Sequence, residues 1–367
     1  MAGRLKAVCI GGAMVDSIAT IESDRIERMS MLNAETSYLL LEEGGKTEAV
    51  DISTHCGGGA INAAVALARL GFDVSPILKL GRDTRAEFII SRLGSEGIST
   101  RWVARDAEAP TGSSVIISSH ERNAAVFTFR GANELLTEDD IPAEASAVDL
   151  VYISGLSGNS ADRFPQIVGK ASAAGALVAV SASARQLSAH ANAMLDSLAK
   201  IGIFALNRRE AEALLPTLIT KLGGSKPRPE IKAGEHLPAL LTRGLSASGQ
   251  EISLPDFFAA LHSLGARHIM LTDGSNGAFV GTRDAILYCP AQKASVASTA
   301  GAGDAMAATF AAFIAMDYPA NAALNAAALN AASVVTFSDT QSGLLRRDAL
   351  ETHLKAHPDF KLRQWKL

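Results

Sequence analysis

Cysteine is scarce in this chain of 367 residues, and there is no excess of positive charge. The three cysteines, Cys9, Cys56 and Cys289, lie far apart and form no CxxC pair. A disulfide framework or a zinc site is therefore not expected, and a reducing compartment fits best. The formal net charge is −4, so there is no basic excess and nucleic-acid binding, which requires a clustered positive surface, is not expected.

Long apolar runs are missing as well. The longest, residues 305–316, is shorter than the ~20 residues that span a bilayer. Gly11 and Asp16 interrupt the first apolar stretch too early for a signal peptide. We therefore expect a soluble, cytoplasmic protein with neither a nucleic-acid nor a membrane partner. Its length and its 48% of hydrophobic residues suffice for one large α/β domain with an accessory piece, or for two modest domains.

Strand-like and helix-like segments alternate along much of the chain. Short apolar runs predict strands over 7–10, 74–80, 150–154, 177–181, 203–206, 268–272 and 277–280. Alanine-rich or amphipathic segments predict helices over 60–70, 85–93, 165–174, 209–215, 304–316 and 320–335. This order is typical of an α/β fold with a doubly wound, mainly parallel sheet, in which ligands bind at the carboxyl ends of the strands.

Two stretches of alternating polar and apolar residues interrupt this order. One lies within 18–55, where we expect a hairpin centred on Gly44-Gly45. The other covers 111–130, with a polar turn at His120–Asn123. Together they could form one small sheet that interrupts the larger domain twice. The histidines, including His55 and His120, show no metal-ligand spacing and are interpreted as surface or core residues.

The predicted boundaries follow from these patterns. Residues 216–255, rich in Gly, Pro, Lys and Ser, are interpreted as a surface insertion within the core. The core is expected over 1–17, 56–100 and 131–367, and the small sheet over 18–55 and 101–130.

The strongest chemical signal is the glycine-rich segment Gly301-Ala302-Gly303-Asp304, which opens a predicted helix. Glycines let the backbone approach a ligand closely. Free N–H groups and the positive end of the helix dipole can hold a phosphate there. Asp304 could then take a proton from a hydroxyl beside that phosphate. An isolated GxGD can equally be an ordinary turn with Asp as a helix cap, and it is neither a Walker A loop nor a Rossmann GxGxxG.

A second segment makes the pattern specific. GAGDAMAATF resembles the second signature of the ribokinase-like (PfkB) carbohydrate kinase family, which usually reads DTTGAGD followed by a helix of small residues. Residues 56–71, with Gly57, Gly58 and Asn62 in a GGxxxN segment and a closing ARLG, resemble the first signature. Both occur in family order, at opposite ends of the chain.

The resemblance implies roles for individual residues and a fold with a β-lid. In the family, Asp304 would be the catalytic base, and the backbone of Gly301, Ala302 and Gly303 would form the anion hole. The remaining implied contacts are with substrate hydroxyls (Asp16, Gly57, Gly58 and Asn62), with Mg²⁺ and phosphate through water (Asn207 and Glu210), with the nucleotide (Thr272, Gly274 and Gly277) and with the adenine (Asn330).

Each of these residues also has a simpler interpretation. Asp16 could close a turn, and Asn62 could cap its helix. Asn207 and Glu210 could be a capping pair, because polar residues at that spacing also cap helices. Gly274 and Gly277 could be turn glycines only. The joint occurrence in family order favours the functional interpretation.

The sequence departs from the family pattern in two places. Ser298 stands where DTTGAGD has Asp, and Ala300 replaces the second Thr. Without that carboxylate a hard cation loses its strongest oxygen ligand, so activation by a monovalent cation such as K⁺ is doubtful. Residues 181–185 read SASAR where many members have DPNxR.

The resemblance therefore implies an ATP- and Mg²⁺-dependent kinase that phosphorylates a primary hydroxyl of a sugar or sugar-like molecule. A nucleoside kinase of the adenosine or pseudouridine type and a non-catalytic sugar- or nucleotide-binding relative remain open. A NAD(P) enzyme is disfavoured, since Gly11–Asp16 does not match GxGxxG. The exposed edge of a lid strand invites pairing, so we expect a homodimer formed through the lid.

Overall fold

The computed structural model describes residues 3–22, 27–30, 37–40, 44–119, 124–222, 237–356 and 362–367. The predicted turn at His120–Asn123 lies outside these residues. The strands are β1 (Lys6–Ile10), β2 (Met14–Ile21), β3 (Glu27–Ser30), β4 (Ser37–Leu40), β5 (Asp51–Gly57), β6 (Asp73–Val74), β7 (Leu78–Leu80), β8 (Val103–Arg105), β9 (Gly112–Ser119), β10 (Ala124–Phe129), β11 (Leu150–Ser154), β12 (Leu177–Ser181), β13 (Ile203–Asn207), β14 (Leu245–Ala247), β15 (Gln250–Ile252), β16 (His268–Thr272), β17 (Ala278–Gly281), β18 (Ala285–Cys289) and β19 (Arg363–Lys366).

Most of the helices lie between these strands in the order that the sequence predicts. They are α1 (Gly59–Arg69), α2 (Thr84–Ser95), α3 (Phe164–Ala173), α4 (Ala184–Ala189), α5 (Ala191–Ser197), α6 (Arg208–Lys221), α7 (Ala239–Arg243), α8 (Leu254–Ser263), α9 (Ala302–Ala315), α10 (Ala320–Val334) and α11 (Arg347–Ala356). None of the described helices is long and apolar enough to cross a membrane.

A nine-stranded sheet forms the centre of the molecule, in the order β19-β18-β17-β16-β13-β12-β11-β1-β6. The six strands from β6 to β16 are parallel to their neighbours, and β17, β18 and β19 complete one edge in antiparallel fashion. The predicted doubly wound, mainly parallel sheet is confirmed.

Each face of this sheet carries its own hydrophobic core. Alternate residues of a strand point to opposite faces, so Leu150 and Tyr152 of β11 join one core while Val151 and Ile153 join the other. Helices α1, α9 and α10 cover the first face, and α3, α6 and α8 cover the second. The long apolar run predicted as a helix is α9, which is buried in the first core.

A second sheet, in the order β10-β9-β2-β5, forms the lid. The predicted union of the two alternating stretches is therefore confirmed, and β9 and β10 form the predicted antiparallel pair. The hairpin centred on Gly44-Gly45 is wrong, because β5 pairs with β2 and β4 pairs with β3. Long-range pairing with β2 thus replaces the local turn. Strands β2 and β5 also extend beyond the predicted lid boundaries, to Met14 and Gly57.

Two proline positions change the predicted elements. The single strand predicted over 74–80 is two strands, β6 and β7, since Pro76 between them has no N–H to donate to a ladder. The helix predicted to stop at 215 continues through Pro216 to Lys221, and Leu215 and Leu218 on either side are fully buried.

The segment 216–255 is therefore not simply a surface excursion. Besides the end of α6, it contributes α7, the β14–β15 hairpin and the start of α8. Leu240, Leu245 and Leu254 from these elements are buried in the second core. Residues 223–236 of the predicted insertion lie outside the described part of the chain.

Candidate active site

The carboxyl ends of the central parallel strands bring polar side chains together at one edge of the sheet. Ser154 ends β11, Ser181 ends β12, and the two are register partners. Asn207 ends β13 and pairs in register with Thr272, the last residue of β16. Because parallel strands end at the same edge, residues that are far apart in the sequence face one crevice there.

Helix α9 begins beside this edge. Gly301 is its N-cap, with φ of 78°, a left-handed conformation that favours glycine. A Cβ at this position would also meet the backbone and side chain of Thr340 at 2.7–3.0 Å. The helix starts at Ala302, so Asp304 is its third residue and lies in the turn whose N–H groups have no helical acceptors. The N–H of Ala302 makes one long bond, 3.4 Å, to Thr299 O.

A cavity of about 210 Å³ separates the start of α9 from the strand ends. It contains two acidic groups, Glu210 and Asp304. The residues that line it are Ser181, Ala205, Leu206, Asn207, Glu210, Met270, Thr272, Gly301, Gly303, Asp304 and Ala307. The predicted base, part of the predicted anion hole and three of the residues predicted to bind nucleotide thus share one space.

Asp304 is held by Asn62. The Nδ2 of Asn62 donates to Asp304 Oδ2 at 2.8 Å, and Asn62 itself is buried. Burial raises the pKa of Asp304, and the hydrogen bond from Asn62 lowers it. Asn62 lies in α1 but is not its N-cap, which is Gly58. The alternative that Asn62 merely caps its helix is therefore wrong.

Asp16 lies in β2 of the lid sheet, beside Gly57 at the end of β5. It is buried, and the Ser114 hydroxyl donates to its Oδ1 at 2.5 Å. Burial raises the pKa of Asp16, while the Ser114 hydrogen bond and the charge of His55 lower it. His55 and Ser114 are its register partners on β5 and β9. Because Asp16 lies within β2, it does not merely close a turn.

Two glycines make room for these groups. A Cβ on Gly57 would collide with the carboxylate of Asp16, and its distance to Asp16 Cγ would be 2.8 Å. Gly58 has φ of 99°, and a Cβ there would lie 2.5 Å from Gly12 O. Gly57 thus leaves room for the Asp16 carboxylate at the end of β5, and Gly58 allows the start of α1 to approach the turn after β1.

Asn207 and Glu210 form a capping box at the start of α6. Asn207 Oδ1 accepts from Glu210 N–H at 2.9 Å, and Glu210 Oε2 accepts from Asn207 N–H at 2.8 Å. The simpler interpretation as a capping pair is correct, yet both residues also line the cavity. Burial, and to a smaller extent the charge of Asp304, raises the pKa of Glu210 to about 7.

The model of the family "pfkB family carbohydrate kinase" matches residues 6–347 of the chain. This chain belongs to the PfkB family. It is a sugar kinase, an enzyme that transfers a phosphoryl group to an alcohol. The deoxyribokinase of Salmonella typhi is 27% identical over 334 residues, which cover 89% of this chain and 94% of the relative. The ribokinase of Staphylococcus aureus is 24% identical over 254 residues, 69% of this chain and 73% of the relative.

Solved structures of ribokinase-like proteins have the same fold. Arabidopsis thaliana ribokinase complexed with ribose and ATP has a TM-score of 0.70 at 20% identity, over 96% of this chain and 99% of that one. A nucleoside kinase of Burkholderia thailandensis in complex with inosine has a TM-score of 0.70 at 18% identity, over 95% of this chain and 98% of that one. At these identities the likeness establishes the fold alone.

In this PfkB kinase, Gly274 and Gly277 lie in the turn that joins β16 to β17. Asp273 N–H donates to Gly277 O at 2.8 Å and closes this turn. Asp273 was not among the predicted site residues. Its buried carboxylate lies 3.5 Å from Arg208 Nε and 3.8 Å from Arg243 Nη2. The sequence TDGSNG gives no indication of either arginine partner.

Asn330 lies apart from the cavity. Its side chain is fully buried, and its Nδ2 donates to Thr309 Oγ1 at 2.7 Å while its Oδ1 accepts from Leu345 N–H at 2.8 Å. These bonds give Asn330 a structural role between α10, α9 and the segment that follows α10. A contact between Asn330 and the adenine of a nucleotide stays a prediction.

The two departures from the PfkB signatures have local roles. Ser298 Oγ accepts from Ala300 N–H at 3.2 Å and holds the turn before Gly301. Ser181 lines the cavity, and Ser183 Oγ accepts from Gln186 N–H at 3.3 Å at the start of α4. Thr340 and Gln341 also contact Asn62, although neither was predicted as a site residue.

Proposed function

We propose that this kinase transfers the γ-phosphoryl group of ATP to a primary hydroxyl of a pentose or a similar sugar, with Asp304 as the general base. The observation that supports this most directly is the position of Asp304. Its carboxylate lies in the first turn of α9, lines the cavity at the strand ends and accepts a hydrogen bond from Asn62. The carboxylate can activate a hydroxyl, and the helix N-terminus beside it can bind a phosphate. The two groups that phosphoryl transfer needs therefore lie next to each other.

The electrostatics of Asp304 suit a base. A general base works best when its pKa approaches the operating pH. Burial raises the pKa of Asp304 from its ordinary range, and the Asn62 hydrogen bond limits that rise. The proton affinity of the Asp304 carboxylate therefore exceeds that of an exposed aspartate.

The sugar would bind between Asp304 and the lid. Asp16 accepts from hydroxyl donors, and Ser114 already holds one of its oxygens. The other oxygen, Oδ2, lies over Gly57, where the absence of a side chain leaves room for the carboxylate. Ribose and 2-deoxyribose are the first candidates, since a ribokinase and a deoxyribokinase are among the relatives.

The phosphates of ATP would lie in the cavity, between the N-terminus of α9 and the pair Asn207 and Thr272. Backbone N–H groups of Ala302 and Gly303 would stabilise the charge on the transferring group, a contribution that is usually large. The chain beyond Thr272, with Gly274 and Gly277, would run along the nucleotide. The lid would exclude water from this space and so limit ATP hydrolysis.

The residues present fit Mg²⁺ only as a nucleotide-bound ion. Among the residues that the structure describes, no group of three His, Cys, Asp or Glu side chains could hold a metal alone. Mg²⁺ commonly binds through one or two carboxylates, with water and substrate phosphates as its other ligands. Burial and the Asp304 charge raise the pKa of Glu210 to about 7. A cation nearby would stabilise the ionised form of this carboxylate. Mg²⁺ supplies charge neutralisation at the phosphates, and Glu210 and Asn207 would orient its waters.

The outer face of the lid fits a second copy of the chain. Val115 and Phe127 are register partners on β9 and β10, and both are about half exposed, at 48% and 59%. Phe129 and Ile52 extend this apolar surface. Contiguous exposed apolar surface with unpaired edge strands marks an interaction site. A homodimer through the lid would cover it.

A coupled ADP-release assay tests the proposed reaction. MgATP would be combined with ribose, 2-deoxyribose, other sugars, keto-sugar acids and nucleosides, with and without K⁺. We expect turnover with a pentose and little effect of K⁺, because Ser298 replaces the carboxylate of the family signature. Turnover restricted to nucleosides would replace the sugar assignment with a nucleoside kinase. ATP binding without turnover on any substrate would contradict the proposal in favour of a non-catalytic relative.

A further inference from the structure

The amide of Gln341 can adopt only one orientation. Its side chain is buried, with Nε2 at 3.0 Å from the carbonyl oxygen of Cys56 and Oε1 at 2.9 Å from Arg92 Nε. A backbone carbonyl can only accept a hydrogen bond, and an arginine Nε–H can only donate one. If the amide oxygen and nitrogen of Gln341 were exchanged, its oxygen would face the carbonyl oxygen of Cys56 and its NH₂ would face the Nε–H of Arg92. The two partners therefore fix which end of Gln341 donates.

This orientation determines that of Asn62 in turn. Gln341 Nε2 also donates to Asn62 Oδ1, at 3.1 Å, and Thr340 Oγ1 donates to the same oxygen at 2.8 Å. The oxygen of Asn62 must therefore face Gln341, and its NH₂ must face Asp304, where Nδ2 lies 2.8 Å from Oδ2. The reverse orientation of Asn62 would place its oxygen against the Asp304 carboxylate.

We propose that Gln341, assisted by Thr340, is a positioning residue that keeps the NH₂ group of Asn62 directed at Asp304 and so holds the carboxylate of the base in place. This inference rests on the proposed role of Asp304 as the base. Burial pushes the pKa of Asp304 upward, and the hydrogen bond from Asn62 lowers it. A reversed Asn62 would remove that bond and add a repulsive contact, so both effects would raise the pKa.

The position of Gln341 is itself fixed by rigid elements. Cys56 lies in the lid strand β5 next to Gly57, and Arg92 lies in α2. Arg69, at the end of α1, donates to the carbonyl of Gln341 at 2.9 Å and pairs with Glu96 at 2.6 Å. The same Glu96 pairs with Arg92 at 2.9 Å. The lid strand, α1 and α2 thus determine jointly how Asp304 is held.

The variant Gln341→Glu tests this most sharply. It preserves size and shape but replaces the donor that faces Asn62 with an acceptor. Asn62 would then turn its NH₂ towards the glutamate and its oxygen towards Asp304. Because the ionised base is the active form, the rate falls as the pH drops through its pKa. We expect the acid limb of kcat/KM to move to higher pH by about one unit or more, and kcat/KM at a fixed pH below that limb to fall about tenfold.

Three further variants keep the inference falsifiable if Gln341→Glu does not fold. Gln341→Met removes the donor without adding an acceptor and should shift the limb by less. Thr340→Val removes only a hydroxyl and should also shift the limb to higher pH, whereas Thr340→Ser keeps the hydroxyl and should restore the wild-type profile. A residue with a merely structural role would change the melting temperature without moving the pH profile.

The matched control is Gln186→Glu. Gln186 is another buried glutamine, and its Oε1 accepts from Leu156 N–H at 2.9 Å rather than contacting Asn62. The acid limb of kcat/KM for Gln186→Glu should lie at the same pH as in the wild type. A folded Gln341→Glu protein, or folded Gln341→Met and Thr340→Val proteins, with a wild-type acid limb would overturn the positioning role. Full activity of Asp304→Asn would instead overturn the proposed function, so the two failures are distinguishable.

Discussion

Glu210 and Asp304 line one cavity, and the negative charge of Asp304 acts on Glu210. Burial first, and then this charge, raises the pKa of Glu210 from an ordinary value of 4.5 to about 7. Glu210 belongs to the capping box of α6, whereas Asp304 lies in the first turn of α9. The fold therefore brings two acidic groups from two helix starts to the place where we propose that the phosphates bind.

The raised pKa of Glu210 has a consequence for stability. In the folded protein Glu210 holds its proton up to about pH 7, whereas in the unfolded chain it releases it near 4.5. The folded state therefore binds more protons between these values, and wild-type stability falls as the pH rises from about 4.5 to about 7. The variant Glu210→Gln keeps a hydrogen-bond acceptor for the capping box. Because glutamine does not titrate, the stability of the variant should not fall in this way as the pH rises. Thermal unfolding should show the variant more stable at pH 8, on the order of 1 kcal/mol after solvent screening, and near wild type below pH 4.5. A difference that does not change with pH would contradict this.

Glu210 should also affect the metal dependence of the reaction. Removing its charge should raise the Mg²⁺ concentration that gives half-maximal rate by about tenfold or more, as is typical for groups that orient metal ligands. The matched control is Glu212→Gln, two residues further along α6 and not among the residues that line the cavity around Asp304. Steady-state rates over a Mg²⁺ series at fixed ATP measure this. Equal Mg²⁺ dependence in Glu210→Gln and Glu212→Gln would argue against a role near the metal.

Gly57→Ala should damage the sugar site. The new Cβ would collide with the carboxylate of Asp16, so Asp16 must move away from its position beside Ser114. A displacement of about 1 Å in a substrate-binding group can cost about 10²-fold, and we expect a loss of that size in kcat/KM for the sugar. Gly94→Ala is the control, because this helical glycine of α2 has no atom within 4 Å of a Cβ position. It should be more stable by about 0.5–1 kcal/mol with unchanged kinetics. A wild-type kcat/KM for Gly57→Ala would show that Asp16 does not need its present position.

The lid surface should determine the oligomeric state. Phe127→Lys places a charge in the middle of the exposed apolar face, where Phe127 is 59% exposed, and burying that charge in an interface would be costly. Gel filtration with light scattering should give a dimer for the wild type and a monomer for the variant. Leu222→Lys, on the 39% exposed Leu222 at the end of α6, away from the lid, should remain a dimer. A monomeric wild type would contradict the proposed lid interface.

The parallel sheet and the two signature segments were accessible to sequence reasoning because they depend on local patterns. Buried strands such as β11 and β12 are short apolar runs, and the start of α9 follows from glycines before a run of small residues. The structure places Asp304, Asn207 and Thr272 around one cavity, as ligand binding at the carboxyl ends of parallel strands leads us to expect.

The errors arose where distant contacts override local patterns. Gly44-Gly45 is typical of a hairpin turn, but β5 has a better partner in β2. A proline usually ends a helix. At Pro216, however, the buried leucines on both sides keep α6 continuous. Gln341 and Asn62 are 279 residues apart in the chain, so no spacing rule could have linked them. A buried polar residue close to a site residue is visible only in three dimensions.

The most direct test of the account is the rate of Asp304→Asn with MgATP and the sugar on which the wild type turns over. We predict that kcat falls by roughly 10²–10⁴, the usual contribution of a general base, while the affinity for ATP is nearly unchanged. Asp256→Asn is the matched control, because Asp256 is the third residue of α8 as Asp304 is of α9, and Ser253 caps that helix. Its kcat should equal that of the wild type. If Asp304→Asn keeps the wild-type kcat, Asp304 is only a helix-end residue and the proposed mechanism is wrong.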